Sequence, residues 1–134
     1  MICFNIQAAE DTLQRTAIRD GETKLGQTVR HCSSLEALKQ DKTPFVIFGI
    51  AEDMGVQANH GKKGAALAWT AFLNAFVNIQ DNQANSGTQM LVLGHFEIVP
   101  TAYQKSEALG SIVEKIDTEV AALVQQIVSL GKYL

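Results

Sequence analysis

Glu52 and Asp53 are the residues of this chain best placed to do chemistry. They follow directly on the apolar run FVIFGI, 45–50, and open the polar, glycine-bearing stretch AEDMGVQANHGKKG, 51–64. Ligands of open parallel sheets bind beyond the carboxyl ends of the strands. Glu52, Asp53, Asn59, His60 and Lys62 are therefore the polar content of a candidate site. The competing reading is a solvated turn whose glycines only satisfy backbone geometry. Spacing tests the sharper chemistries. A Walker phosphate loop needs GxxxxGK followed by Ser or Thr. Here Gly55 and Gly61 stand one residue too far apart, and Lys63 occupies the hydroxyl position. The dinucleotide pattern GxGxxG is absent. Metal-assisted hydrolysis needs converging carboxylates or imidazoles, usually as HxH, DxD, HExxH or DxHxD. None of these spacings occurs, and His31, His60 and His95 lie far apart. His95 ends a strand and could be a ligand, although a lone His there more often hydrogen-bonds locally. Nucleophilic catalysis lacks a GxSxG, and Cys3 and Cys32 have no catalytic context; they read as reduced thiols.

The elements that must position these residues follow from composition and periodicity. Of 134 residues, 46% are apolar and 19% charged, with Lys plus Arg at 11 against 14 for Asp plus Glu, a net −3. This is the mix of an ordinary globular domain. No Lys/Arg block exists for tracking a phosphate backbone, so nucleic acid is not an expected partner. No apolar run approaches the roughly 20 residues needed to cross a bilayer, and MICFNIQAAED does not read as a secretory signal. No membrane partner is expected, and the expected location is cytoplasmic.

Residues 1–43 read as a helical and loop extension. It has a short helix near 9–18, a loop through RDGETKLGQ, and a second helix near 33–40 capped by Ser33 or Ser34 with Glu36 in its first turn. Residues 44–134 read as a strand–helix–strand–helix unit. FVIFGI and MLVLGHF (90–96) are buried-strand candidates. Ala65, Trp69, Phe72, Leu73, Phe76 and Val77 share one face of a helix over about 65–79. DNQANSG, 81–87, is a polar turn. From 105 to 130 the apolar positions 109, 113, 116, 120, 123, 127 and 130 alternate steps of four and three, and Gly131 closes the helix. A coiled-coil seam is conceivable, but the small residues Ala108, Ala121 and Ala122 favour packing on a sheet. Strands separated by a helical crossover predict an α/β chain with a partial parallel sheet and flanking helices. Such a sheet is thin, and with FVIFGI and MLVLGHF at its edges it would leave backbone unpaired. The chain therefore reads as part of something larger or as a subunit of a homo-oligomer.

RDGETKLGQ, 19–27, and FVIFGIAEDMGVQANHGKKGAALAWTAFLNAFVNIQDNQ, 45–83, together resemble the amino-terminal part of the ureohydrolase superfamily of arginase, agmatinase and formimidoylglutamase. Bacterial formimidoylglutamases are the nearest likeness. The features that carry it are a strand ending in G-I-x-E-D-x-G-V, an N-x-G-x-x-G-A loop, and a helix leading to N-x-Q-x-N-Q. MLVLGHF and the long helix continue the order. Lys62 stands where the family loop commonly carries Arg. The family's metal motifs, a Gly-rich strand end with His, then Asp-x-His-x-Asp and an Asp-x-Asp pair, are not in this sequence.

The resemblance implies the first part of an arginase-like three-layer α/β/α fold. It implies a manganese-dependent hydrolase of linear amidine C–N bonds, formimidoylglutamase-like and acting in histidine degradation. Manganese belongs to the full-length parent and none is expected in this chain, which is expected to be inactive alone. No catalytic or metal-binding residue is carried over; Asn59 and His60 are the expected contacts to a small amidine substrate at the pocket mouth. The alternative is a non-catalytic module derived from that family, which oligomerises or binds a partner.

Overall fold

MLVLGHFEI is apolar through its first five positions and occupies the middle of the sheet. In the computed structural model, which describes residues 1–99 and 108–134, strand β3 (Met90–Ile98) lies between β1 (Ile2–Ile6) and β2 (Phe45–Ala51). β2 runs parallel to β3, whereas β1 runs antiparallel to it. The sheet is therefore mixed and open, and the expected parallel pairing holds for β2 and β3 alone. MLVLGHF is not an edge, because β1 covers its outer side. The segment 1–43 thus contributes a strand as well as its helices and loops. The alternation of Ile2, Phe4 and Ile6 is the period-two signal of a strand.

One irregularity organises both faces. The β2–β3 register runs Ile47 opposite Val92 and then Phe48 opposite Gly94, so Leu93 is an extra residue, a β-bulge. Gly94 has φ 143°, and a Cβ there would sit 1.9 Å from the Asn5 carbonyl oxygen, so only glycine fits. The bulge resets the pleat. Leu91, Leu93 and Phe96 all join the core with Leu38, Val46, Leu123 and Ile127 on one face. Val92 packs on the other face with Leu25, Val29, Trp69, Leu73 and Val77.

The first of these faces is covered by α5 (Leu109–Ser129), of which Ile112, Ile116, Leu123 and Ile127 are buried. The periodic seam faces the sheet as expected; of the small residues, Ala108 and Ala121 are exposed, and Ala122, also exposed, lines a cavity beside Ile2, Phe4 and Phe96 of the sheet. Residues 105–107 of the expected helix lie outside the described residues. Gly131 (φ 74°) ends it, with its N–H donating to the Val128 carbonyl and that of Lys132 to Ile127.

The opposite face carries α4 (Ala68–Phe76), preceded by a 3-10 turn at Ala65–Leu67. Trp69 and Leu73 are buried; Phe72 stays largely exposed, stacked between Trp69 and Phe76. In the amino-terminal segment α1 (Ala9–Gln14) is shorter than expected. The RDGETKLGQ loop ends in a single turn, α2 (Leu25–Thr28). The expected helix at 33–40 is only a 3-10 turn, Ala37–Lys39, with Ser34 Oγ accepting the Ala37 N–H at 3.1 Å. Leu38 is its one buried side chain, too little apolar anchorage to hold a longer helix.

The two stretches 19–27 and 77–83 meet in space. The N–H groups of Leu25 and Gly26 donate to the carbonyls of Ile79 and Val77, and that of Asp81 donates to Thr23. Asn78 ties the same region together: its Oδ1 accepts the Ala17 N–H at 2.8 Å, and its Nδ2 donates to the Arg15 and Asn74 carbonyls.

Gly49 lies directly beneath Trp69, where a Cβ would stand 2.3 Å from the ring. Gly49→Ala is expected to destabilise the fold by about 1–3 kcal/mol through overpacking. Because Trp69 is the chain's single tryptophan, a shifted indole emission in the same denaturation experiment would locate the strain. An unchanged midpoint would mean that Trp69 does not pack on β2 in solution.

Candidate functional site

β2 delivers Glu52 and Asp53 to its carboxyl end, and there the two carboxylates build a loop. Glu52 Oε2 accepts the N–H groups of Met54 and Gly55, the latter at 3.0 Å. This starts α3 (Met54–Ala58), a helix within the stretch expected to be loop. Gly55 within it and Gly61 three residues past its end are both poor helix formers, so local propensity favours loop here. Asp53 Oδ1 accepts the N–H groups of Gly64 at 3.0 Å and Ala66 at 2.9 Å. These bonds, with the nearby Lys63 charge, hold the Asp53 carboxyl below its ordinary pKa. Asp53 thereby fixes where the loop ends and the 3-10 turn before α4 begins. α3 itself packs against α5, so the loop joins the layers on opposite faces of the sheet.

Asn59 and His60 lie side by side where α3 ends, and both are exposed, as is Lys62. The loop therefore gathers Asn59, His60 and Lys62 at one rim, while Glu52 and Asp53 turn inward to backbone donors. The His60 N–H donates to the Gln57 carbonyl and the Gly61 N–H to Val56. This is the helix-ending pattern that closes α5, with His60 in the left-handed position (φ 58°) that Gly131 occupies there. A histidine in that conformation is uncommon. Gly61 must be glycine for a separate reason: a Cβ would approach Val56 Cγ1 to 2.7 Å and the Val56 oxygen to 3.1 Å.

The remaining chemistry-bearing groups fall into two places. His95 was turned by the bulge onto the α4 face. There its ring stacks on Trp69 with centroids 5.9 Å apart, and its Nε2 lies 3.8 Å from Glu97 Oε2. Its Nδ1 has no hydrogen-bond partner among the described residues. His31 and Cys32 instead line a cavity of about 420 Å³ beside Gln7 and Ala9. Burial pushes the His31 pKa down, and its Nε2 lies 2.8 Å from Thr12 Oγ1. Burial pushes the Cys32 thiol up, which keeps it protonated and a poor nucleophile. Neither cysteine is disulfide-bonded. Among the described residues no group of three or more His, Cys, Asp or Glu side chains converges as a metal site. No helix among them is long and apolar enough to cross a membrane. No family model, curated protein or solved structure matches the chain.

Two measurements test the loop. His60→Gly relieves the left-handed conformation and is expected to raise stability by about 0.5–1 kcal/mol; a loss of stability would mean that the imidazole makes a stabilising contact in solution. The pKa of Asp53 is lowered in the folded state, so its tie is in place above the ordinary carboxylate value of 3.8 and is lost as pH falls through the lowered folded value. The amide resonances of Gly64 and Ala66 should move together over that acid window and cease to titrate in Asp53→Asn. Independent titration of the two amides would count against a shared carboxylate.

Proposed function

We propose that this chain is the amino-terminal part of a manganese-dependent hydrolase of linear amidine C–N bonds, formimidoylglutamase-like and serving histidine degradation. The observation that carries the reading is an apposition. The stretches 19–27 and 45–83, which bear the resemblance, are separate in sequence, yet their backbones hydrogen-bond to one another through Leu25, Gly26 and Asp81. Four of the polar residues in those motifs have a structural part at their positions: Glu52 and Asp53 build the loop, Asn78 ties down residues 15–17, and Asn82 Oδ1 accepts the N–H groups of Ala84 and Asn85. A shared scaffold accounts for a resemblance made of such residues.

The described residues alone do not fit manganese, because no ligand group converges among them. On this reading the ligands would lie on a further part of the protein, where a metal pair, when bound, would lower the pKa of water and make hydroxide available at neutral pH. This chain supplies the first strands of an arginase-like α/β/α sheet and the pocket-mouth loop. Asn59 and His60, adjacent and exposed at the end of α3, offer an amide and an imidazole to the polar end of the substrate. The His60 backbone strain fits a residue kept for its side chain rather than for its turn geometry.

The test is an assay of the longer protein with manganese and formimidoylglutamate. It should release formamide, whereas residues 1–134 alone should not. His60→Ala in the longer protein should lower kcat/KM about tenfold, roughly one substrate hydrogen bond. Formamide release by the 134-residue chain, or a longer protein inert towards every linear amidine, would overturn the proposal. The exposed apolar side chains of Phe45 and Ile50 favour a second reading, a non-catalytic module that self-associates or binds a partner. Sedimentation as a monomer at high concentration would count against that one.

A further inference from the structure

We infer that β1 is an interface: its outer edge pairs antiparallel with β1 of a second copy of this chain, centred on Phe4. β1 is terminal in the sheet order, and among the described residues no strand or bridge lies on its outer side. The Gln7 N–H donates to the Leu93 carbonyl at 3.0 Å, and Met1 and Val99 exchange bonds in both directions at 2.8 Å. Antiparallel ladders alternate bonded and non-bonded pairs, so the odd-numbered residues of β1 turn their backbone groups to β3. The N–H and C=O groups of Ile2, Phe4 and Ile6 therefore point to the free edge.

A second copy is the occupant because this edge is complementary to itself. A two-fold axis through Phe4 sets Ile2 opposite the partner's Ile6 and Phe4 opposite the partner's Phe4. Every outward N–H dipole then meets a carbonyl, in an isologous contact. The side chains agree. Ile2, Phe4 and Ile6 are only partly buried at the margin of the core under α5, so the two apolar rows meet on one face. A cavity of about 200 Å³ lies beside this row, lined by Ile2, Phe4 and Phe96 of the sheet and by Ala122 and Leu123 of α5. The partner's apolar row extends its wall. No charged side chain precedes Glu10, so two such edges approach without like-charge repulsion although the chain carries a net −3. β1 also has no lysine, proline or bulge, the devices that keep edge strands apart. The inference is independent of the proposed chemistry, and of Phe45 and Ile50, which lie on the opposite edge strand.

On the other face the same register sets Cys3 opposite the partner's Asn5, a non-hydrogen-bonded pair with Cα atoms about 4.5 Å apart, within disulfide reach. Asn5→Cys is therefore expected to give a covalent dimer on mild oxidation, read by non-reducing electrophoresis. The unaltered chain should give none, and neither should Asn5→Cys combined with Cys3→Ser. Cys32, packed on the α5 face, is out of reach. In the unaltered chain, amide exchange at Phe4 and Ile6 should slow ~10-fold or more from dilute to concentrated solution. The amides of Cys3 and Asn5, bonded to β3 in either state, should change little. If Asn5→Cys does not fold, exchange on the unaltered chain decides. No cross-link in a folded Asn5→Cys chain, or a cross-link that survives Cys3→Ser, would overturn the inference. So would exchange at Phe4 and Ile6 that is unchanged by concentration, or slowing at Phe48 and Ile50 instead.

Discussion

The extra residue that β3 carries at Leu93–Gly94 is the constraint on which the rest of the structure depends. Without it, the alternation of side chains would put Leu91 and Leu93 on one face and Phe96 on the other. With it, all three reach the core under α5, and Phe96 packs edge-on against Phe4 and Phe48 from the flanking strands. The same reset sends His95 to the α4 face, where it stacks on Trp69. Trp69 in turn lies flat on Gly49, close enough that no larger residue fits beneath it. A distortion in the central strand thus sets where α4 sits on β2. The close approach of β1 at Asn5 makes glycine obligatory at position 94.

Those relations explain which parts of the fold could be read in advance. β2, β3 and α5 were legible because each is long and its apolar pattern is unambiguous: two continuous runs and a seam of fours and threes. β1 is short, has an asparagine at its centre, and exists through antiparallel pairing with residues 94–98. Nothing local to residues 2–6 specifies that partner, although their alternation was visible. The helix expected at 33–40 failed for the opposite reason. Its local signals were sound, and Ser34 Oγ does accept the Ala37 N–H, but Leu38 alone is fully buried while Leu35 is only partly so. Local propensity without burial sustains a single turn and no more.

The candidate site shows the same division at the level of single residues. That a polar cluster would stand at the carboxyl end of β2 followed from the strand's position. That Glu52 and Asp53 would spend their acceptors on backbone N–H groups did not, because those donors come from Met54 and Gly55 in one case and from Gly64 and Ala66 in the other. A carboxylate that fixes a loop and one that binds a ligand look alike in sequence. They part only when their partners are known. His60 was singled out for its imidazole, yet its most distinctive property is its backbone, in a conformation that the residue type does not announce.

The connections around β2 bear on why this loop is where a ligand site would form. From β2 the chain crosses to β3 on one side by way of α4. From β3 it returns by way of α5 to the opposite side of β2, where Tyr133 pairs with Phe45. Right-handed crossovers in opposite directions must place their helices on opposite faces, and α4 and α5 do lie on opposite faces. The direction of winding therefore reverses at β2, and in open α/β sheets the crevice for ligands opens at the carboxyl end of the strand where this happens. The carboxyl end of β2 is the Glu52–Asp53 corner, from which α3 leans onto α5 while the following turn leads to α4. The loop bearing Asn59, His60 and Lys62 leads from α3, packed on α5, to the turn before α4. The buried Lys132 lies at the other end of β2, where its ammonium donates to the carbonyls of Asp41 and Thr43. It thereby pins the end of α5 to the start of β2, holding Tyr133 beside Phe45 on the side of β2 away from β3.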